Sequence, residues 1–380
     1  MKSFSIAFGI IQCLLLSTFA QINKQVAFYP GEIWKDNKGV HINAHGGGIM
    51  YHHGIYYWYG EHKIEGEAGN LAQVGVHCYS SKDLYNWKDE GISFSVINDT
   101  TCDIQKGCIL ERPKVIYNAK TKKYVMWFHV ELKGKGYGYA RSGVAVSGKP
   151  TGPFVYRGSI RSNPGCWPMN VLPIHKLPVC DYVKKTYFAG GGFDGNVDSL
   201  NLLGKFFNEG QMERDMTLFV DDDGKAYQIY ASEYNATIQI AELTDDYLAH
   251  SGKYVRAFVG RWMEAPILFK HNGLYYFIGS GCTGWIPNAA RSAVAPTIWG
   301  PWKELGNPCM GKDSETTFHS QSTYVLPIVG KKNAFIFMAD RWMPKNAIDG
   351  RYVWLPITFK EDKIQIKWLD KWRLDVYSIR

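Results

Sequence analysis

Apolar residues in this chain come in short runs set off by polar turns, and five such passages share one plan: an apolar strand, a tight turn, then an aromatic strand. The first is HGGGIMYHHGIYYWYGEHK at 45–63, and the second is ERPKVIYNAKTKKYVMWFHV at 111–130. RDMTLFVDDDGKAYQIYASE at 214–233 turns on Asp-Gly, and EAPILFKHNGLYYFIGSG at 264–281 turns on Asn272-Gly273, both strong hairpin signals. QSTYVLPIVGKKNAFIFMAD at 321–340 completes the series. Looser material follows each passage, and two of these tails match one another: ARSGVAVSGKPTGPF from Ala140 and ARSAVAPTIWGPW from Ala290.

The heads at 46, 111, 215, 264 and 321 stand 65, 104, 49 and 57 residues apart. Three gaps suit a four-stranded unit, and the long one contains an insertion over roughly 160–212. A unit of two hairpins cannot bury both its faces alone, whereas five arranged radially bury one another around a channel. The pattern therefore predicts an all-β, five-bladed β-propeller with four-stranded antiparallel blades over residues 21–380. Two stacked sandwiches could use similar strands, but would not place one polar residue at the head of every repeat. The insertion, with NPGCWPMN, AGGGFDG and LLGKFFNEG, reads either as a partly ordered lid beside the central opening or as an extended blade edge.

Composition sharpens this picture. With 13 Trp, 24 Tyr, 19 Phe and 39 Gly, the chain suits short twisted strands and tight turns. Most of these aromatics are expected in the core, although Trp and Tyr also suit the apolar faces of sugar rings. Residues 1–20 carry Lys2, an apolar run from Ile6 to Leu16 and small residues up to Ala20, which is the pattern of a cleaved signal peptide. The protein is accordingly expected to be exported, to the periplasm or beyond the cell, with no membrane span. A formal charge of +8 falls to +7 without Lys2, and its lysines are scattered, so nucleic acid is an improbable partner. A monomer is expected. Seven cysteines follow the leader; Cys102 with Cys108, and Cys166 with Cys180, are close enough in sequence to pair in an oxidising compartment.

Radial closure would gather the head residues His45, Glu111, Asp215, Glu264 and Gln321 at one mouth. Glycoside cleavage needs a protonated acid beside the leaving oxygen and a second group that attacks or activates water. A carboxyl in an apolar pocket near other acids keeps its proton to higher pH. Glu264, between Trp262-Met263 and Ala265-Pro266, has the apolar setting for that acid. Asp215 can stay charged and tune it. Glu111 can do the same or bind sugar hydroxyls, while Arg112 could instead tie Glu111 into a structural ion pair.

The chain resembles glycoside hydrolase family 43, and more narrowly its exo-β-1,3-galactanase-like branch. The motifs INAHGGGIMYHHGIYYWYGEHK, ERPKVIY, RDMTLFVDDDGKAY, EAPILFKHNGLYYFIGSGCTGWIPNAAR and SQSTYVLP carry the likeness in order across almost all of the sequence beyond the leader. The resemblance implies hydrolysis with inversion, Glu264 as general acid and Asp215 as the orienting carboxylate. The family's usual aspartate base in the first blade is missing, since Asn43-Ala44-His45-Gly46 stands there. In the galactanase-like branch a fifth-blade glutamine is associated with the attacking water, which here is Gln321. Its carbonyl oxygen would hold that water, a neutral amide being a poor proton acceptor. Glu111 corresponds to an additional substrate-binding acid and Glu61 to a sugar-contacting residue. Trp285 is a candidate platform for a galactose face, Asn288 a candidate hydroxyl partner, and His45, His319 and Arg341 are further candidates at the mouth.

The expected substrate is a β-1,3-linked galacto-oligosaccharide or an arabinogalactan glycan, cut from its end to release galactose. An α-L-arabinofuranosidase of the same fold and a non-catalytic glycan-binding propeller are the alternatives. No cofactor is required by this chemistry. A structural calcium ion is conceivable, without a motif that specifies it.

Overall fold

The computed structural model describes residues 24–176 and 202–378; the expected leader over 1–20, Cys180 and the AGGGFDG stretch lie outside the described residues. Five antiparallel sheets follow one another along the chain, and their innermost strands are His45–His52, Ile109–Asn118, Met216–Val220, Met263–His271 and Gln321–Pro327. Each innermost strand neighbours the next, and the fifth returns to the first, closing a five-bladed propeller. Four blades have four strands. The fifth departs from the expected count. Cys309–Met310, on the way in from blade four, runs parallel to the outermost strand Lys363–Lys367 and occupies its free edge.

The hydrophobic core is divided into slabs, one between each pair of neighbouring blades. The slab between blades five and one is dominated by aromatics, among them Phe28, Trp58, Trp87, Trp354 and Trp372. Both faces of an inner hairpin are covered by neighbouring blades, which is why Tyr56–Glu61 and Tyr124–Glu131 are buried without alternation. Each such large side chain contributes roughly 2–3 kcal/mol by leaving water. Trp58, Trp127, Trp262 and Trp354 are all fully buried, so much of the aromatic richness serves packing. Phe28 and Trp372 exchange backbone hydrogen bonds of 2.9 and 3.2 Å, binding the two ends of the described chain together.

The insertion's first arm lies along the outermost strand of blade three, His250–Ala257. Met169 N–H donates to Tyr254 O at 2.8 Å, and Asn170 bonds the backbone of Arg256 in both directions. The second arm returns beside the propeller mouth. Ser162 and Gln211 pair at the base of the two arms. Cys102, Cys108 and Cys166 are free thiols, so Cys102 and Cys108 do not form the disulfide their spacing allowed. Among the described residues, no helix is long and apolar enough to cross a membrane.

Candidate active site

The head residues converge because the inner strands stop at a common mouth, and backbone irregularities there aim them. Ladder register slips between His45 and Gly48, Glu111 and Lys114, Glu264 and Ile267, and Ser322 and Tyr324. A bulge of this kind bends the strand and redirects a side chain. In three blades the residue just after the head is left-handed: Gly46 at φ 60°, Arg112 at 57° and Ala265 at 53°. For the two non-glycine residues this costs roughly 1–2 kcal/mol each, compensated by the packing around them. At position 46 only glycine fits, because a Cβ there would collide with the Glu61 carboxylate.

A cavity of about 1000 Å³ opens at this mouth, and Glu61, Glu111, Asp215, Glu264, Gln321 and Trp285 all line it. Leu202 and Lys205, from the second arm of the insertion, complete part of its wall. The other four candidates do not line it. His45 is fully buried against Tyr352, with ring centroids 5.4 Å apart, because its blade's head turns inward at Gly46. Asn288 is spent inside its own loop, bonded to both backbone groups of Gly281 and to Thr283 Oγ1. His319 is exposed beside Thr316 and Asp313. Arg341 donates to Phe318 O at 3.0 Å and lies over the Trp368 ring.

Charge is distributed unevenly among the acids. Burial pushes the Glu264 carboxyl up to about 8, and the nearby Asp215 adds to the rise, so the group carries its proton at neutral pH. Asn235 Nδ2 donates to Glu264 Oε1 at 2.7 Å and fixes its direction. Asp215 Oδ2 accepts from Arg112 Nη2 at 2.9 Å and from the Ala265 N–H at 3.0 Å. Glu111 is the opposite case to Glu264. Burial would raise it, but His129 and Tyr137 hydrogen bonds and the His129 charge outweigh that and hold it down to about 2. His129 sits between Glu111 and Glu131, 3.1 Å from each, and despite burial is held protonated up to about 9.

Arg112 is the hub of the floor. It is buried, its backbone N–H donates to Glu61 Oε1 at 3.0 Å, and its guanidinium reaches Asp215, Gln321 Oε1 at 2.6 Å and Ser322 O at 3.0 Å. It makes no direct ion pair with Glu111, the pairing its sequence position allowed. Glu61 is held from its other side by Lys63 at 2.6 Å. Gln321 differs from expectation in one respect. Its carbonyl oxygen accepts from Arg112 and from Trp342 Nε1 at 2.9 Å, while Nε2 donates to Ser280 Oγ at 3.0 Å. Arginine and indole nitrogens can only donate, so the amide orientation is determined and both carbonyl lone pairs are filled. A water would meet the remaining Nε2 hydrogen.

Sequence reasoning missed Arg112 as a hub, and also His129, Tyr137, Asn235, Ser280 and Trp342. A signal for two of these exists in the hairpins. Across four of the five ladders the head faces a residue on the second strand: His45 faces Glu61, Glu111 faces His129, Glu264 faces Ser280, and Gln321 faces Asp340. Reading the mirror position of each head would have found His129 and Ser280. Tyr137, Asn235 and Trp342 come from connections whose course no periodicity reveals.

Glu111, His129 and Asp215 also place one donor atom each within 4.8 Å of one another. This set does not suit calcium, which prefers six or more oxygen ligands. Both His129 nitrogens are bonded to carboxylates, and its retained proton supplies the positive charge between them.

A closed five-bladed propeller that holds a protonated carboxyl and further acids at its axial mouth supplies the groups that glycoside cleavage requires. The model of the glycosyl hydrolases family 43 matches residues 197–341. A solved β-1,3-galactosidase of that family, bound to galactodeoxynojirimycin, is 50% identical, with 91% of this chain and 100% of that chain covered and a TM-score of 0.85. An exo-β-1,3-galactanase from Phanerochaete chrysosporium with β-1,3-galactotriose is 31% identical, covering 93% of this chain and 69% of that one at a TM-score of 0.73. An exo-β-1,3-galactanase from Clostridium thermocellum is 36% identical, covering 91% and 66% at 0.72. No curated protein sequence matches the chain. The chain belongs to glycoside hydrolase family 43 and is an enzyme acting on glycosidic bonds.

Proposed function

We propose that this protein is an inverting exo-β-1,3-galactosidase that releases galactose from the ends of β-1,3-galactan and arabinogalactan-derived oligosaccharides. The observation that carries this reading is the meeting of Glu264, Asp215, Glu111 and Gln321 around one cavity, where burial and the neighbouring Asp215 raise the Glu264 carboxyl. Glu264 gives its proton to the glycosidic oxygen as the bond from that oxygen to the anomeric carbon breaks. A water held by Gln321 forms the new bond from the opposite face, and the proton it sheds returns to the pool from which Glu264 is recharged. An oxocarbenium-like centre is electrophilic enough that the water needs placement more than prior deprotonation. Asp215, clamped by Arg112, tunes and orients the acid. Glu61 and Glu111 bind hydroxyls, and Trp285, 45% exposed at the rim, offers a stacking face.

End-on action is supported by the exo-β-1,3-galactanase relatives. It needs a wall beyond the terminal sugar, and Leu202 and Lys205 of the insertion stand in the cavity wall where such a barrier belongs. Galactose is supported by the β-1,3-galactosidase and exo-β-1,3-galactanase relatives. Export is part of the same proposal and rests on the leader pattern of residues 1–20.

The test is a panel of β-1,3-galacto-oligosaccharides and terminal α-L-arabinofuranosides, with the first anomer followed by nuclear magnetic resonance. Free galactose appearing first as the α-anomer supports the reading. Arabinose release alone, or β-galactose first, overturns it. A pH profile follows from the same geometry. A general acid works only while protonated, so kcat/KM should be level below about 8 on this limb and fall about tenfold per unit above it. A basic limb near the ordinary carboxylate range, around 4 to 5, would exclude Glu264 from that role.

A further inference from the structure

We propose that Trp342 is a positioning residue for hydrolysis: its indole N–H shares the Gln321 carbonyl with Arg112 and so locks the amide with its nitrogen edge as the edge available to water. The inference rests on the proposed role of Gln321. Four contacts carry it. Trp342 Nε1 donates to Gln321 Oε1 at 2.9 Å, Arg112 Nη2 donates to the same oxygen at 2.6 Å, and Gln321 Nε2 donates to Ser280 Oγ at 3.0 Å. The Arg112 guanidinium also lies 5.3 Å from the Trp342 ring centroid, so the two donors brace one another.

An unrestrained glutamine amide can turn over, exchanging an acceptor for a donor at either edge. Arg112 alone would still allow the oxygen to swing, because one lone pair would be open to solvent. With both lone pairs taken by groups that cannot accept, a turned amide would set its NH2 against two N–H donors. The orientation is thereby single-valued, and the remaining Nε2 hydrogen has a defined direction in which to hold a water oxygen. Trp342 lies in the cavity wall next to Trp285, their centroids 6.1 Å apart, so a role in stacking on sugar is the competing explanation for any effect of its removal.

Trp342→Phe keeps the apolar ring and deletes the donor. The expected result is a fall in kcat of about ten- to hundredfold with KM within about twofold, as for a misplaced reacting group. A raised KM with unchanged kcat would assign Trp342 to sugar stacking and overturn the proposal. The deciding measurement is the cycle with Gln321→Ala. If Trp342 acts through Gln321, the double variant loses no more than Gln321→Ala alone; losses that multiply overturn it. Trp342→His, which restores a ring N–H, should regain part of the kcat lost in Trp342→Phe, and no recovery counts against the proposal. Thermal unfolding of each variant separates these effects from misfolding. Normal turnover by Gln321→Ala would remove the role of Gln321 itself, whereas a dead Gln321→Ala beside a normal Trp342→Phe would remove only the positioning role.

Discussion

Glu264→Gln should lose about a thousandfold or more in kcat on a galactoside with a sugar leaving group, within the span that general acids contribute. Binding should change little. The substituted amide has nearly the volume of the acid, and its oxygen can still accept from Asn235 Nδ2, which now reaches Oε1 at 2.7 Å. A galactoside whose leaving group departs as a stable anion needs no proton, so an activated aryl galactoside should be cleaved by the variant with a much smaller deficit. Isothermal titration with galacto-oligosaccharide and parallel rate measurements on both substrates provide the check. Equal loss on the two substrates would show that Glu264 does something other than protonate the leaving oxygen. The basic limb near 8 should vanish from whatever activity remains, since the titrating group has been removed.

Arg112→Met should damage both catalysis and stability. It removes the buried cation that touches Asp215 and Gln321, and leaves the Asp215 carboxylate with only the Ala265 N–H among those partners. Breaking a buried pair from one side typically costs about 3–5 kcal/mol, because the remaining charge is left uncompensated. Electrostatic pre-organisation is lost as well, and kcat/KM should fall by about a thousandfold. Arg112→Lys distinguishes the two effects. A lysine can restore charge near Asp215 and most of the stability, but one ammonium cannot serve Asp215, Gln321 and the Ser322 carbonyl in the directions the guanidinium does. The lysine variant is therefore expected to unfold in urea near the wild-type midpoint and still be catalytically poor. Wild-type turnover from Arg112→Lys would mean that only charge matters at this position.

The pairing of Arg112 shows why the site was only partly legible in advance. Local sequence puts it beside Glu111, and that adjacency leaves an ion pair between them open as one alternative. In the fold its left-handed backbone at φ 57° sends the side chain across the mouth to blades three and five. No spacing along the chain encodes such a reach. His45 shows the same limit from the other side: it heads its repeat like the acids, yet the turn at Gly46 buries it on Tyr352. Gln321 reaches the cavity as its place at the head of the fifth hairpin implies, but the carbonyl edge expected to hold water is occupied, because Arg112 and Trp342, the latter twenty-one positions later, both donate to it.

What the sequence by itself determined is the repeating unit: short apolar strands, turn signals at regular offsets and one polar residue at the head of each hairpin. Those features are local, since turn chemistry and strand period depend on neighbouring residues, and they sufficed for five blades and for Glu111, Asp215, Glu264 and Gln321 at one mouth. Only the tertiary structure decided how those groups are charged and aimed. Burial, the distance between acids and the partners of Arg112 are properties of closure around the axis, where residues from separate blades share a low-dielectric space and alter one another's protonation.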